Sequence, residues 1–258
     1  MLAKQRYNKI LELLDKDGIV HTAELVKLMG VSSETVRKDL EYLDNQGRLS
    51  RVHGGAVPVD NGTTPDMPGG YISLQIRNSQ HLEQKSAITA KAASMVAEGQ
   101  IIALDYGSTS QMMALTLKER FNRLTVVTNS IQNALILAEN PGITIILTGG
   151  VLNRDEYTLV NDFSATLESI HIDIMFMTVT GIDPVVGCTD QRLSEIRIQN
   201  QLHQSASRIV LADSSKFGKA SLIKICPFEE IDTIITDGGI TPLMEEKIRK
   251  TGTRLIIS

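Results

Sequence analysis

Residues 31–40 read Val31-Ser32-Ser33-Glu34-Thr35-Val36-Arg37-Lys38-Asp39-Leu40, and this stretch decides the fold of the N-terminal region. Val36 and Leu40, with Leu43 beyond them, fall at helical spacing. A helix that starts after Ser32 or Ser33 buries those three on one face and ends before Gly47. It turns Ser32, Ser33, Thr35, Arg37 and Lys38 outward near its start. Working back toward the N-terminus, Tyr7, Ile10, Leu11 and Leu14 predict an amphipathic helix ending before Asp17-Gly18. Thr22 is the expected N-cap of a short helix whose buried repeat is Leu25, Leu28 and Met29, and Gly30 permits a tight turn after it. Helix, helix, turn, helix is the order of a helix-turn-helix.

The start of the last helix in such a motif is the part that meets base edges in the major groove. Hydroxyls and long cations suit that position. Arg37 has the reach and donors for a guanine edge, and Lys38 suits a base or a phosphate. The same residues also describe a capped helix with ordinary solvated charges. Working forward, Gly47-Arg48-Leu49-Ser50-Arg51-Val52-His53-Gly54-Gly55-Ala56-Val57 alternates like a strand on either side of a glycine pair. This predicts a small hairpin, the wing of a winged helix, carrying Arg48, Arg51 and His53 beside the DNA backbone. His53 reads equally well as a turn residue. A DNA-binding module is therefore expected over 1–58.

Charge supports that module only weakly. Residues 1–58 hold nine Lys+Arg against eight Asp+Glu, and the remainder holds 17 against 22. A nucleic-acid function must therefore rest on placed cations rather than on a basic tract. Cys188 and Cys226, the two cysteines, show no metal-ligand spacing, so neither a metal nor a disulfide framework is expected. No apolar run is of membrane-spanning length, and the first residues alternate with charge, so the expectation is a cytoplasmic protein with no membrane partner.

Residues 58–70 contain three prolines and three glycines in 13 positions, which marks a boundary. A linker is expected over 59–75 and a second domain over 76–258. There the pattern changes to short apolar runs alternating with helices. Strands are predicted at 101–104, 124–128, 143–147, 173–180, 208–212, 232–236 and 254–257. Helices are predicted near 83–98, 109–118, 130–139, 161–169, 190–205 and 241–250. This is an α/β domain with a mostly parallel sheet covered on both faces. Polar loops recur where strands end: Asp105-Tyr106-Gly107-Ser108-Thr109-Ser110, Thr128-Asn129-Ser130, Gly149-Gly150, and Asp213-Ser214-Ser215-Lys216. Ligands of open α/β sheets bind at that edge. Small residues and hydroxyls opening a helix suit a phosphate. The loops match neither a dinucleotide fingerprint nor a Walker loop, so no nucleotide cofactor is expected.

VSSETVRKDL at 31–40 and RVHGGAV at 51–57 together resemble the signature of the DeoR family of bacterial transcriptional regulators of sugar metabolism. The resemblance continues through Lys85 with Ile88, LDYGSTS at 104–110, VVTNS at 126–130, Gly149-Gly150, TGIDPVVGCT at 180–189 and LADSSKFG at 211–218. It implies a winged helix-turn-helix followed by an isomerase-like α/β sensor domain. It implies a repressor of a carbohydrate-utilisation operon, acting as a homodimer or homotetramer on double-stranded operator DNA. The implied effector is a phosphorylated sugar or sugar alcohol. Carried over by position, the effector residues are Lys85, Asp105, Gly107, Ser108, Thr109, Asn129, Gly149, Gly150, Gly181, Asp190 and Lys216. Three positions depart from the family pattern. Lys38 stands where arginine is usual, Ser108 where threonine is usual, and Tyr106 where a small residue is usual. Two other readings stand beside this one. In the first, Asp105, Asp190 and Lys216 do acid–base chemistry in a sugar-phosphate isomerase-like enzyme. In the second, the protein binds DNA without an effector.

Overall fold

A computed structural model describes residues 3–17, 19–46, 48–52, 54–57, 72–160, 170–192 and 207–258. The chain divides into two compact units, Met1–Gly70 and Tyr71–Ser258.

The first unit comprises α1 (Ala3–Asp17), β1 (Val20–His21), α2 (Thr22–Met29), α3 (Ser33–Asn45), β2 (Ser50–Val52) and β3 (Gly55–Val57). The predicted helical repeats converge on one core, made of Ile10, Leu14, Val20, Leu25, Val36, Leu40, Leu43, Leu49 and Ala56. The wing hairpin is present and acquires a third strand, in the order β1-β3-β2. Gly55 is required there, because a Cβ on it would lie 2.0 Å from the Val20 carbonyl oxygen. Two local expectations fail. Thr22 does not cap α2; His21 holds the cap position, and the Thr22 N–H is taken by the Gly54 carbonyl at 2.8 Å. Long-range pairing with the wing thus supplies what a local cap would have supplied. Leu28, expected in the buried repeat, is 59 % exposed.

The second unit opens with α4 (Leu74–Ser79) and α5 (Leu82–Ala93). Helix α4 starts inside the stretch read as linker, where Ser73 Oγ accepts the Ile76 N–H and Leu74 is buried. The alternation continues with β4 (Ile101–Leu104), α6 (Ser108–Arg120), β5 (Leu124–Thr128), α7 (Ile131–Leu137) and β6 (Ile143–Leu147). A hairpin follows, β7 (Val151–Asn153) and β8 (Thr158–Val160). Then come β9 (Ile174–Thr178), β10 (Gly181–Asp183), β11 (Gly187–Asp190), β12 (Ser207–Leu211) and β13 (Ile223–Cys226). The chain finishes with β14 (Thr233–Thr236), α8 (Pro242–Lys250) and β15 (Arg254–Ile257).

Seven strands form one parallel sheet in the order β15-β14-β12-β9-β4-β5-β6. Their side chains alternate between two cores, as strand geometry requires. Ile102, Leu104, Ile174, Phe176, Ile209 and Leu211 face the core shared with α5, α6 and α7. Ala103, Met175, Met177, Val210 and Ile234 face the core shared with α8 and with the small antiparallel sheet β10-β11-β13. That small sheet and the β7–β8 hairpin are the elements the sequence pattern does not announce. Asp190, expected to open a helix over 190–205, instead closes β11. The expected helix at 161–169 and residues 193–205 of the second lie outside the described residues, as does His53.

Candidate DNA interface and effector site

In the first unit, Ser32 caps α3. Its Oγ accepts the Thr35 N–H at 3.2 Å and shares a hydrogen bond with Thr35 Oγ1 at 2.9 Å. The two hydroxyls therefore fix the helix start, and Ser33, Arg37 and Lys38 remain exposed on its outer side. The inner side is locked by a pair the sequence pattern misses. Arg6 of α1 donates to Asp39 through Nε at 2.5 Å and Nη2 at 2.9 Å. The Asp39 carboxylate holds the Arg6 guanidinium above its already high range. Tyr7 and Tyr42 stack beside it at 4.7 Å. Asp39 thus faces α1 while its neighbours Arg37 and Lys38 face outward, which presents the cations on a fixed helix. Arg48, just before β2, and Arg51, within it, are exposed as well.

In the second unit, the carboxyl ends of β4 and β9 meet at Asp105, which is fully buried. Its carboxylate accepts the Thr178 N–H at 2.7 Å and the Thr178 hydroxyl at 3.2 and 3.3 Å. Its carbonyl accepts from Ser110 Oγ at 2.5 Å and Asn133 Nδ2 at 2.6 Å. Asp105 is therefore a brace that shapes the loop. Gly107, at φ 112, caps α6, and a Cβ there would meet Thr178 Oγ1 at 3.1 Å and Arg77 Nη1 at 3.7 Å. Ser108 is half-buried and Thr109 buried in the first turn that follows. Tyr106 donates its hydroxyl to Asp190 at 2.7 Å, and Asp190 also accepts from Thr180 Oγ1 at 2.9 Å and the Gln191 N–H at 2.5 Å. The bulky Tyr106 thus serves to orient an acid from β11.

Arg77, beside the α6 cap, is one of three interacting cations. Lys85 is only 3 % exposed and donates to the carbonyls of Arg77 and, at 2.6 Å, Gln80. Burial lowers its pKa to about 8; Asp213 pulls it back up, while Lys216 and Arg77 push it further down. Lys216 is lowered by burial first, with Asp213 and Asp190 opposing and Arg77 and Lys219 adding. Lys85, Lys216 and Arg77 therefore feel one another's charge around Asp213, which itself caps its turn by accepting the Ser215 N–H at 3.0 Å. Gly181 lets the backbone at Lys219 pass close, since a Cβ on it would lie 2.5 Å from the Lys219 carbonyl oxygen. Arg77 also pairs with Glu156, and so does Arg192, at 2.7 Å.

Asn129, Gly149 and Gly150 have a different position. The Asn129 carbonyl accepts the Leu159 N–H at 2.8 Å, and a Cβ on Gly150 would lie 2.3 Å from the Val160 carbonyl oxygen. Asn129 and Gly150 therefore seat the β7–β8 hairpin, and Gly149 is the exposed residue just before Gly150. The hairpin turn is what delivers Glu156 to Arg77. Arg77, Glu156, Arg192 and Thr178 were not singled out by sequence. No motif marks them, because each acquires its role from a partner more than 35 residues away.

The DeoR-like helix-turn-helix domain matches residues 6–61, and the DeoR C terminal sensor domain matches residues 80–238. The HTH-type transcriptional regulator GolR of Listeria innocua is 35 % identical, over 98 % of this chain and 97 % of its own length. GlpR of Haloferax volcanii is 33 % identical, over 99 % and 98 %. The glycerol-3-phosphate regulon repressor of Escherichia coli K12 is 30 % identical, over 92 % of each. A solved D-ribose-5-phosphate isomerase overlaps 52 % of this chain and 53 % of its own at 20 % identity and a TM-score of 0.41, too slight an overlap to bear on function. With a reader module and a sensor module both matched, and relatives aligned from end to end, this chain belongs to the DeoR family of DNA-binding transcriptional regulators.

Proposed function

We propose that this regulator represses a carbohydrate-utilisation operon and releases its operator when a phosphorylated sugar or sugar alcohol binds the second unit. The observation that carries the reading is Arg77 at the cap of α6, with Lys85 and Lys216 near enough to feel its charge and that of Asp213. Helix dipole, free backbone N–H groups and three cations suit a phosphate dianion, and the neighbouring carboxylates suit hydroxyl-bearing carbon. The name of the glycerol-3-phosphate regulon repressor points to the same ligand chemistry. On the DNA side, Ser33, Arg37 and Lys38 meet the major groove, and Arg48 and Arg51 meet the backbone. The nearly neutral reader unit gives each copy little sequence-blind attraction to DNA. Two copies in a homodimer or homotetramer bind together in the cytoplasm, and the reading invokes no cofactor or metal.

An enzymatic reading would need free acids and bases. Asp105 is bonded to Thr178, and Asp190 to Tyr106, Thr180 and Gln191, which supports a binding site rather than a proton-transfer site. The decisive experiment titrates the full chain on its own promoter DNA, with sugar phosphates and with the same sugars unphosphorylated. A phosphorylated sugar is expected to change operator affinity about 5–150-fold, the range of ordinary allosteric coupling. If no phosphorylated sugar changes it, the reading fails.

A further inference from the structure

Glu156 is fully buried, yet it lies in the turn between β7 and β8. Its Oε1 accepts from both Arg77 and Arg192, two guanidiniums brought to one carboxylate oxygen from positions far apart in the sequence. Arg77 is the same residue whose Nη1 lies beside Gly107, the cap of α6. One guanidinium thus touches an internal anion on one side and borders the proposed phosphate position on the other.

The surrounding backbone bears on this arrangement. Among the described residues, His81 and Tyr157 are the two non-glycine residues with positive φ, at 54 and 53. Tyr157 directly follows Glu156. His81 directly follows Gln80, whose carbonyl receives Lys85. Non-glycine residues in this region persist only where neighbours hold them, and they cluster at active sites, ligand clamps and switch regions. Lys85 in turn holds the last turn of α4 through the Arg77 and Gln80 carbonyls. Helix α4 packs on α6 and is the first helix after the proline- and glycine-rich stretch.

We propose that Glu156 is an internal competitor of the effector: its carboxylate holds Arg77, the effector's phosphate takes Arg77 over, and α4 is loosened as a result. This rests on the proposed sugar-phosphate site and adds to it the residue that sets affinity. A phosphate entering at Gly107 and Ser108 offers Arg77 several oxygens in place of one shared oxygen. It also draws the Lys85 ammonium away from the carbonyls that close α4. Glu156 is thus a positioning residue that keeps the empty site assembled and makes the effector work against it.

The test uses the full chain and inorganic phosphate as probe, with affinity read by calorimetry at constant ionic strength. Glu156→Gln is expected to bind phosphate at least ~10-fold tighter, the scale of one competing charge-assisted hydrogen bond. Adding Arg77→Ala to it should remove that gain. Amide exchange over 74–79 should rise on phosphate saturation of the unaltered chain. A folded Glu156→Gln protein that binds phosphate equally or more weakly overturns the proposal, because a carboxylate that merely braces the site would weaken binding when removed. Should Glu156→Gln not fold, Glu156→Asp retracts the charge by one methylene and should bind tighter by a smaller factor; equal or weaker binding overturns the proposal in the same way. Phosphate binding that Lys216→Ala abolishes but Glu156→Gln leaves unchanged defeats this inference alone. No phosphate binding by the unaltered chain or any variant defeats the proposed function with it.

Discussion

In the reader unit, Arg37, Lys38, Arg48 and Arg51 are exposed, and the charged pair that matters to the fold, Arg6 with Asp39, is turned away from them. In the sensor unit, Lys85 is 3 % exposed, Glu156 is fully buried, and Arg77 belongs at once to an ion pair and to the border of the α6 cap. Under the proposed function, one unit separates the charges that hold it together from those offered to a ligand, and the other uses the same charges for both. DNA is a large polyanion whose contacts are added on a surface, so its reader can keep stability and recognition apart. A small phosphate must be desolvated to be recognised, so its cations have to be buried, and buried cations need resident partners until the ligand arrives.

The harshest test of this separation is Leu40→Ala, at a position 2 % exposed in the reader core. It should cost about 2–5 kcal/mol of that unit's stability in denaturant unfolding and leave phosphate binding unchanged. A parallel loss of phosphate affinity would break the distinction between the units. Next in size, Lys216→Ala should weaken phosphate binding about 10–150-fold, the value of a hydrogen bond to a charged group, with operator affinity in the absence of phosphate retained. Third, Arg37→Ala should cost about 1–3 kcal/mol on the operator and flatten the preference at one base position. If binding to all DNA falls equally and the salt slope drops by about one, Arg37 is a phosphate contact instead.

The smallest effect sharpens the contrast through pH. Lys85, held at about 8 by burial with Asp213 opposing, loses its proton as pH rises through that value. Phosphate affinity should therefore fall a few-fold between about pH 7 and 9. Stability of the empty protein moves the other way. The unfolded chain holds this proton up to its ordinary range, so above the folded value the unfolded state binds more protons. The Lys85 contribution to stability should then rise with pH from about 8 toward the ordinary lysine value, and flatten beyond it. Operator affinity, which we propose rests on the exposed Arg37, Lys38, Arg48 and Arg51, should show neither trend.

Much of the reader was legible because its signals are local. Val36, Leu40 and Leu43 recur within one helix, and the glycine pair Gly54-Gly55 turns one hairpin. The failures there are also instructive. Thr22 reads as a cap only until β3 arrives to supply the Gly54 carbonyl, and Leu28 fits the helical repeat on a helix too short to bury both sides of it. In the sensor, the alternation of apolar runs and helices gave the parallel sheet. The motif glycines were visible, but their roles were not. Gly150 and Gly181 stand where another backbone passes within 2.5 Å of a missing Cβ, a fact about chain crossings rather than composition.

The sequence by itself determined the two-module order, the reader helix with its outward Arg37 and Lys38, and the polar loops at the ends of β4, β5, β6 and β12. Periodicity and turn chemistry act over a few residues, and that is the range over which sequence pattern specifies structure. Only the tertiary structure decided that Asp105 braces Thr178, that Tyr106 orients Asp190, and that Arg77, Arg192 and Glu156 meet in one buried cluster. Those partners come from different strands and turns. Their pairing follows from desolvation, since a charge removed from water must find an opposite charge wherever the fold provides one.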